Sequence, residues 1–331
     1  MISSQKRIHL CTFPTPVEKP SGLQRLVPSI DLLVKRDDVM ELAMGGNKVR
    51  KLEFLMADAQ SKGCDTVITT GDLHSNHTRL TAAASCKLGM KSILVVKGKK
   101  PDTIAGNLLL DYLFGADVRY FDGERNEIPS FMEEIRKEEA NGAQCYVIPR
   151  GGASAHGVLG YANAVFELKE QLRGDADKLD FVVFATGTGA TQAGLLLGMK
   201  LVGLKAKVVG ISAGRSASDI GNDVKRLFSD GANLLGIRVD LSADDVIVND
   251  QYTCGGYAIV TKEVTGLIET VARTEGLLVD PVYSGKGMLG LVGLTKKGYF
   301  RKDSRVLFIH TGGLPIIFSH WKMPDASTIS R

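Results

Sequence analysis

The sequence predicts an α/β protein made of two open, twisted, mostly parallel sheets flanked by helices, with the active site in the cleft between two lobes. Short β-branched runs recur between helical stretches, which is the pattern of βαβ units. These runs form two clusters, one between residues 66 and 148 and one from residue 181 onward. Glycine is also in excess, 37 in 331 residues against the ~7% of an average chain. That excess falls in loops after strands, where a parallel sheet holds its ligand and where glycine lets backbone N–H groups approach it.

In chain order, strands are expected over residues 31–35, 66–70, 92–96, 118–121, 146–148, 181–185, 208–212 and 306–310. Helices are expected between them over 47–61, 75–88, 128–140, 158–172, 191–201, 261–275 and 287–297. Six glycine-bearing loops punctuate the series: GGNK, GDLHSNH, RGGAS, GTGATQAG, YSGKG and HTGG. Any one of them alone is explained as a tight turn. Six together point to a phosphate or carboxylate ligand touched from several sides.

The composition is that of a globular chain, with 44% apolar and 24% charged residues and a net charge of +4. It excludes a disordered, collagenous or coiled-coil protein. Charges are interspersed and aromatics are 6%, so neither a basic stripe nor a stacking platform argues for nucleic acid. The uncharged run over residues 181–199 has the length of a membrane span, but its Gly and Thr residues divide it into strand, loop and helix, so no membrane partner is expected. Five cysteines without a CxxC pair or zinc spacing are read as reduced thiols of a cytoplasmic enzyme, with no metal. The N-terminal stretch has no apolar core and carries Pro14 and Pro16, so no signal or transit peptide is expected.

Three motifs carry the chemistry. In FVVFATGTGATQAG a strand runs into small residues and then a helix, where unpaired N–H groups and the hydroxyls of Thr186, Thr188 and Thr191 make an anion cradle. A triphosphate loop would need Lys followed by Ser or Thr after the second glycine, and none follows. A dinucleotide fingerprint would need glycine where Gln192 stands, and the following strand ends near Ser212 without a ribose-binding acid, although Arg215 keeps a phosphorylated-dinucleotide reading open. A single phosphate monoester, as in pyridoxal phosphate, fits best. In MGGNKVRK, Asn47 is placed to cap a helix whose first turn holds Lys48. A cation there opposes the macrodipole, which favours the neutral, nucleophilic amine that a Schiff base requires. The plainer alternative makes Lys48 a solvated lysine, with only Arg50 or Lys51 pairing with a carboxylate. In GDLHSNHTR, Ser75, Asn76 and His77 open a helix and offer donors to a carboxylate or phenolic oxygen, or else simply cap it. Further on, Tyr283 in DPVYSGKG and Tyr257 in CGGYAIVTKE are candidate phenols, and Thr311 or Ser284 can hydrogen-bond a ring nitrogen.

Together KRDDVMELAMGGNKVRKLEF, TTGDLHSNHTR, VIPRGGASAHGVLGY, TGTGATQAG, DPVYSGKG and FIHTGG resemble the fold-type II pyridoxal phosphate enzymes, a tryptophan synthase β-like fold. More narrowly they are similar to the D-cysteine desulfhydrase and 1-aminocyclopropane-1-carboxylate deaminase family. The motifs stand in family order from about Thr12 to about Phe318. The resemblance implies pyridoxal 5'-phosphate bound by Lys48, which would also shuttle the Cα proton. It implies a hydrogen bond from Asn76 to the phenolic oxygen, and a phosphate site made by Thr186, Gly187, Thr188, Gly189, Ala190 and Thr191. The substrate carboxylate would meet Ser75, Asn76 and His77, with Tyr257 and Tyr283 flanking the substrate and Thr311 or Ser284 near the pyridine nitrogen. Residues 50–162 would form a smaller α/β domain inserted into a large coenzyme-binding domain of residues 1–49 and 163–331. A homodimer is usual in the family.

Departures from the family pattern bear on the reaction. Similar deaminases carry Glu where Ser284 stands and Gln where His77 stands. An acid at the first position keeps the pyridine protonated, a strong electron sink that cyclopropane opening needs. A hydroxyl suffices for β-elimination of a good leaving group, so the expected reaction is D-cysteine to pyruvate, ammonia and hydrogen sulfide. His74 replaces the Gln of the desulfhydrase pattern, with Asp72 two residues before it, and Arg150 is an additional cation. Such a cation would suit a sulfonate, as in L-cysteate. Two further classes compete: an oxidoreductase binding a dinucleotide at the Gly187 loop, and a silent amino-acid binder, which the presence of Lys48 disfavours.

Overall fold

The computed structural model describes residues 2–140 and 142–320. Among the described residues ten strands form two sheets: β1 (Val17–Glu18), β2 (Asp31–Arg36), β3 (Thr66–Asp72), β4 (Lys91–Lys97), β5 (Asp117–Phe121), β6 (Cys145–Ile148), β7 (Phe181–Thr186), β8 (Lys207–Ser212), β9 (Ile247–Asn249) and β10 (Arg305–His310). One sheet has the order β1-β2-β10-β7-β8-β9 and the other β5-β4-β3-β6. Only the edge pair β1–β2 is antiparallel; the remaining pairs run parallel, with Val306 opposite both Leu32 and Phe181 and Thr66 opposite both Lys91 and Cys145.

Alternation along the strands decides which helices cover which face. In the larger sheet Val182 and Phe184 point into one core, with Leu307, Ile309 and residues of the helices Ala155–Leu172, Ala190–Val202 and Ala217–Leu234. Val183, Val209, Ile211 and Phe308 point into the opposite core, under the helices Lys262–Glu275 and Ser284–Lys296. A fully buried side chain such as Phe184 contributes about 1.5–3 kcal/mol by leaving water. In the smaller sheet Ile68, Ile93 and Val95 pack on Ile128, Met132 and Ile135 of the helix Ile128–Glu139. Val67 faces the other way, toward Leu80 and toward Leu52 and Leu55 of the helix Lys48–Ser61.

That last helix is the joint between the sheets. A Cβ on Gly160 would lie 2.4 Å from the Arg50 carbonyl oxygen, so glycine there lets the helix Ala155–Leu172 cross it closely. Arg50, 1% exposed, donates through Nε to Asp37 Oδ2 at 2.8 Å and through Nη1 to Glu167 Oε2 at 2.8 Å, while the Tyr161 hydroxyl donates to Asp37 Oδ2 at 2.6 Å. Opposite charges and hydrogen bonds hold the Asp37 carboxyl below its ordinary range in spite of burial. Lys48, two residues before Arg50, therefore starts from a fixed turn.

Each of the eight strands and seven helices expected from the pattern has a counterpart, most with ends shifted by one to three residues. Two short strands, β1 and β9, and the helices Ser21–Gln24, Gly106–Leu113, Ala217–Leu234 and Leu314–His320 were not foreseen. The five cysteines are free thiols. Among the described residues no helix is long and apolar enough to cross a membrane.

Candidate active site

The carboxyl ends of β3, β6, β7, β8 and β10 converge on a cavity of about 550 Å³ between the two sheets. Lys48 is the first residue of its helix, and its side chain reaches the cavity. Burial lowers its ammonium pKa to about 8, and the Arg150 charge pushes the same way. Lys51 lies beside it, 1% exposed and held well below its ordinary range by burial and by the Lys48 charge. Both amines point at the Gly151 carbonyl, at 3.5 Å for Lys48 and 3.3 Å for Lys51. Arg50 pairs with carboxylates, whereas Lys48 and Lys51 form a two-amine cluster.

Asn47 occupies the cap position of that helix but its side chain makes no capping bond; its Nδ2 instead donates to Thr191 Oγ1 at 3.1 Å. This ties the start of the lysine helix to the start of the helix Ala190–Val202. Gly189, at φ +83°, caps the latter, and the unpaired first-turn N–H groups face the loop of Thr186, Gly187, Thr188 and Gly189. A buried Thr186 Oγ1 without a protein partner adds an orphaned donor to this anion cradle. Arg215, which also lines the cavity, braces the loop, donating to the Gly187 carbonyl at 3.2 Å and to Asp223 Oδ2 at 2.8 Å. Ala190 belongs to the cradle through its backbone and does not line the cavity.

Across the cavity, Ser75 caps the helix Asn76–Lys87, its Oγ accepting from the N–H groups of His77 and Thr78 at 3.1 and 3.3 Å. Ser75, Asn76 and His77 all line the cavity. The Thr69 hydroxyl donates to the Ile148 carbonyl at 2.8 Å, so it accepts from His77 Nε2 at 2.9 Å. His77 is then neutral, kept so by burial and by Lys48, Lys51 and Arg150, and its Nδ1 is an acceptor without a protein partner. The ring therefore cannot donate to a carboxylate, and any contact it makes with substrate must be to a donor group. Asn76 Oδ1 accepts from Asn107 Nδ2 at 2.8 Å.

Tyr257 and Tyr283 also line the cavity, with hydroxyls 2.6 Å apart. Burial pushes the Tyr257 phenol up to about 12 and the Tyr283 phenol well above its ordinary value. Of the two hydroxyls considered for a ring nitrogen, Thr311 lines the cavity and Ser284 does not. Ser284 is fully buried and its Oγ donates to Asp280 Oδ2 at 2.6 Å, because Asp280 needs donors from the helix start to remain buried. His74 is turned away from the cavity and its ring meets His320 edge-on at 4.3 Å. Asp72 is bound by Arg125, whose Nη2 donates to Oδ1 at 2.6 Å. Arg125 and Asn107 had no sequence signal, since both depend on where other loops fall.

A fold of two mostly parallel sheets with a buried lysine amine and a glycine-threonine loop lining one cavity between them is that of a class of coenzyme-binding enzyme, and the chain belongs to the family described as pyridoxal-phosphate dependent enzymes, whose model matches residues 8–312. It is 43% identical over 322 residues to a putative 1-aminocyclopropane-1-carboxylate deaminase of Pyrococcus abyssi, covering 97% of this chain and 95% of that one. A 1-aminocyclopropane-1-carboxylate deaminase of Methylobacterium nodulans is 38% identical over 331 residues, with 96% and 97% covered. A D-cysteine desulfhydrase of Klebsiella pneumoniae is 38% identical over 322 residues, with 95% and 96% covered. Among solved structures, an ACC deaminase homologue superposes with a TM-score of 0.89 at 40% identity over 96% of this chain and 95% of that one. The protein is accordingly a pyridoxal phosphate-dependent enzyme of the lyase and deaminase group.

Proposed function

We propose that this enzyme performs β-elimination on D-cysteine, giving pyruvate, ammonia and hydrogen sulfide, as a cytoplasmic homodimer built on a 50–162 domain inserted between 1–49 and 163–331. Of that division, residues 1, 141 and 321–331 lie outside the described residues. Lys48 would hold the coenzyme covalently, with the phosphate in the cradle from Thr186 to Thr191, Asn76 donating to the ring oxygen and Thr311 at the ring nitrogen. The coenzyme, when bound, supplies the electron sink that stabilises a carbanion at the substrate Cα. Lys48, free as an amine of pKa about 8, takes the Cα proton near neutral pH. Ser75 and the Asn76 backbone bind the substrate carboxylate at the mouth of their helix. The Tyr257–Tyr283 phenol pair closes the other side, excludes water and holds a proton for the departing sulfur.

The observation that carries this reading is the pairing of the cavity's carboxylates. Asp72 is taken up by Arg125 and Asp223 by Arg215, while Thr311 supplies a neutral hydroxyl. A neutral partner leaves the ring a weaker sink, adequate for expelling a thiol and poor for opening a cyclopropane. The deaminase reading has its own support in the 43% and 38% identical relatives that carry that name. Arg150 at the cavity wall supports L-cysteate as a third substrate. Assay of the holoenzyme on D-cysteine, 1-aminocyclopropane-1-carboxylate and L-cysteate separates the three. Pyruvate with sulfide from D-cysteine is expected; 2-oxobutyrate from the cyclopropane, or sulfite from cysteate, as the faster product overturns it.

A further inference from the structure

Lys286 is 0% exposed, inside the first turn of the helix Ser284–Lys296, where a cation opposes the macrodipole. Among the described residues no carboxylate pairs with it. Its Nζ instead donates to three backbone carbonyls: Ala213 at 3.1 Å, Thr253 at 2.8 Å and Gly256 at 2.7 Å. An ammonium has three protons, so the site satisfies it completely. Two of these carbonyls, of Thr253 and Gly256, flank a turn in which Cys254 is held at φ +58°, and Ala258 just beyond it is held at +59°, a conformation that residues with a side chain rarely adopt. Gly256 is followed by Tyr257. From the other side, a Cβ on Gly214 would lie 2.3 Å from the Tyr257 nitrogen, so the loop after β8 rests directly on that tyrosine's backbone. The same helix turn that carries Lys286 begins at Tyr283, whose hydroxyl is 2.6 Å from that of Tyr257.

We propose that Lys286 is a positioning residue that clamps the 253–257 loop to the Tyr283 helix and so sets the Tyr257–Tyr283 phenol pair at the substrate; this rests on the reading of those tyrosines as flanking the substrate. A buried ammonium joins three segments that share no regular secondary structure, the loop after β8, the strained loop and the helix start. Without it the strained loop has no cation to gather its carbonyls, and Tyr257 leaves the position that its hydroxyl contact requires. Lys48 lies on another element; the loop after β8 does meet the cradle, through the Ala213 N–H that donates to the Thr186 carbonyl at 2.9 Å, so coenzyme retention is read alongside kcat.

Holoenzyme carrying K286Q tests this against Y257F and the K286Q/Y257F double variant, on whichever substrate of the panel the unmodified enzyme turns over. K286Q is expected to retain the coenzyme absorbance and to lower kcat on the order of 10²-fold, the cost of a misplaced catalytic group. Amide hydrogen exchange over residues 253–258 should accelerate, and the double variant should be no slower than Y257F alone. Should K286Q fail to fold, G214A displaces the same tyrosine from the opposite side and must show the same non-additivity with Y257F. Losses that multiply in the double variant, or unchanged kcat or unchanged exchange in K286Q, overturn the clamp. Full turnover by Y257F with Lys286 intact instead removes the role given to Tyr257, and the proposal falls with it.

Discussion

Asn107 Nδ2 donates to Asn76 Oδ1 at 2.8 Å, and this single contact settles which way the Asn76 amide faces. With its oxygen engaged and Asn107 also donating to the His74 carbonyl at 2.9 Å, Asn76 is left with its NH₂ to offer. A donor is what a phenolate oxygen of the coenzyme requires. Asn107→Ala should therefore weaken coenzyme retention about 3- to 10-fold, the worth of one net hydrogen bond. Fluorescence titration of the apoprotein with pyridoxal 5'-phosphate measures it; unchanged affinity would show the Asn76 amide to be oriented by other contacts.

The depressed Lys48 ammonium makes a pH prediction. The neutral amine is the reactive form, so coenzyme capture by apoprotein should speed up about tenfold per pH unit below pH 8 and level off above it. Stopped-flow absorbance across pH 6 to 9.5 reads this directly, and a plateau reached only near pH 10 would contradict it. Borohydride reduction followed by peptide mapping should place the label on Lys48, and Lys48→Ala should abolish both label and turnover.

Tyr283→Phe removes one member of the phenol pair but not its ring. We expect kcat to fall by about 10²-fold or more with KM nearly unchanged, the signature of a proton-transfer group. A KM effect at constant kcat would make Tyr283 a binding residue only.

Breaking the buried ion cluster should cost stability. Arg50→Met leaves Asp37 charged and buried, and should destabilise by about 3–5 kcal/mol in denaturant unfolding. Because the Asp37 carboxyl is held below its ordinary 3.8, its stabilising contribution is present above that pH and is lost as pH falls through the lower folded value. Without Arg50 the buried Asp37 carboxyl loses the charge that lowers its pKa, so the Arg50→Met penalty should be largest near neutral pH and shrink as acid protonates the carboxyl in the variant.

The parts of this molecule that the sequence discloses are those whose chemistry is local. Parallel strands buried on both faces, such as β7 and the centre of β10 (residues 306–309), must be β-branched or apolar, so they read as strands. The loop and helix start at residues 186–191 read because a strand runs into glycine and threonine before a helix, and the Lys48 turn because GGN precedes it. The helix Ala217–Leu234 is missed although its signal is present: Ser216 caps it at the Asp219 N–H, and Ile220, Val224, Leu227 and Phe228 repeat at helical spacing. The helix Gly106–Leu113 has no such start signal, because it follows Ala105, which has no capping group, and begins on a glycine at φ +58°. Strands of two and three residues such as β1 and β9 have no periodicity to read. Ser284 shows the limit at the site itself: motif position puts a hydroxyl next to Tyr283, but only the fold reveals that Asp280 claims it. Asn107 and Lys286 act through contacts with residues 31 and 30 to 73 positions away, a distance no motif spans.

The bond from Asn47 to Thr191 fastens the root of the reactive amine to the rim of the anion cradle. On the proposed reading, the two ends of the coenzyme would be gauged by one ruler, whose ends this bond joins. If Lys48 and the cradle take the two ends of the coenzyme as proposed, pyridoxal without its phosphate would engage the amine end alone, and selection among vitamers would follow from span as well as from charge.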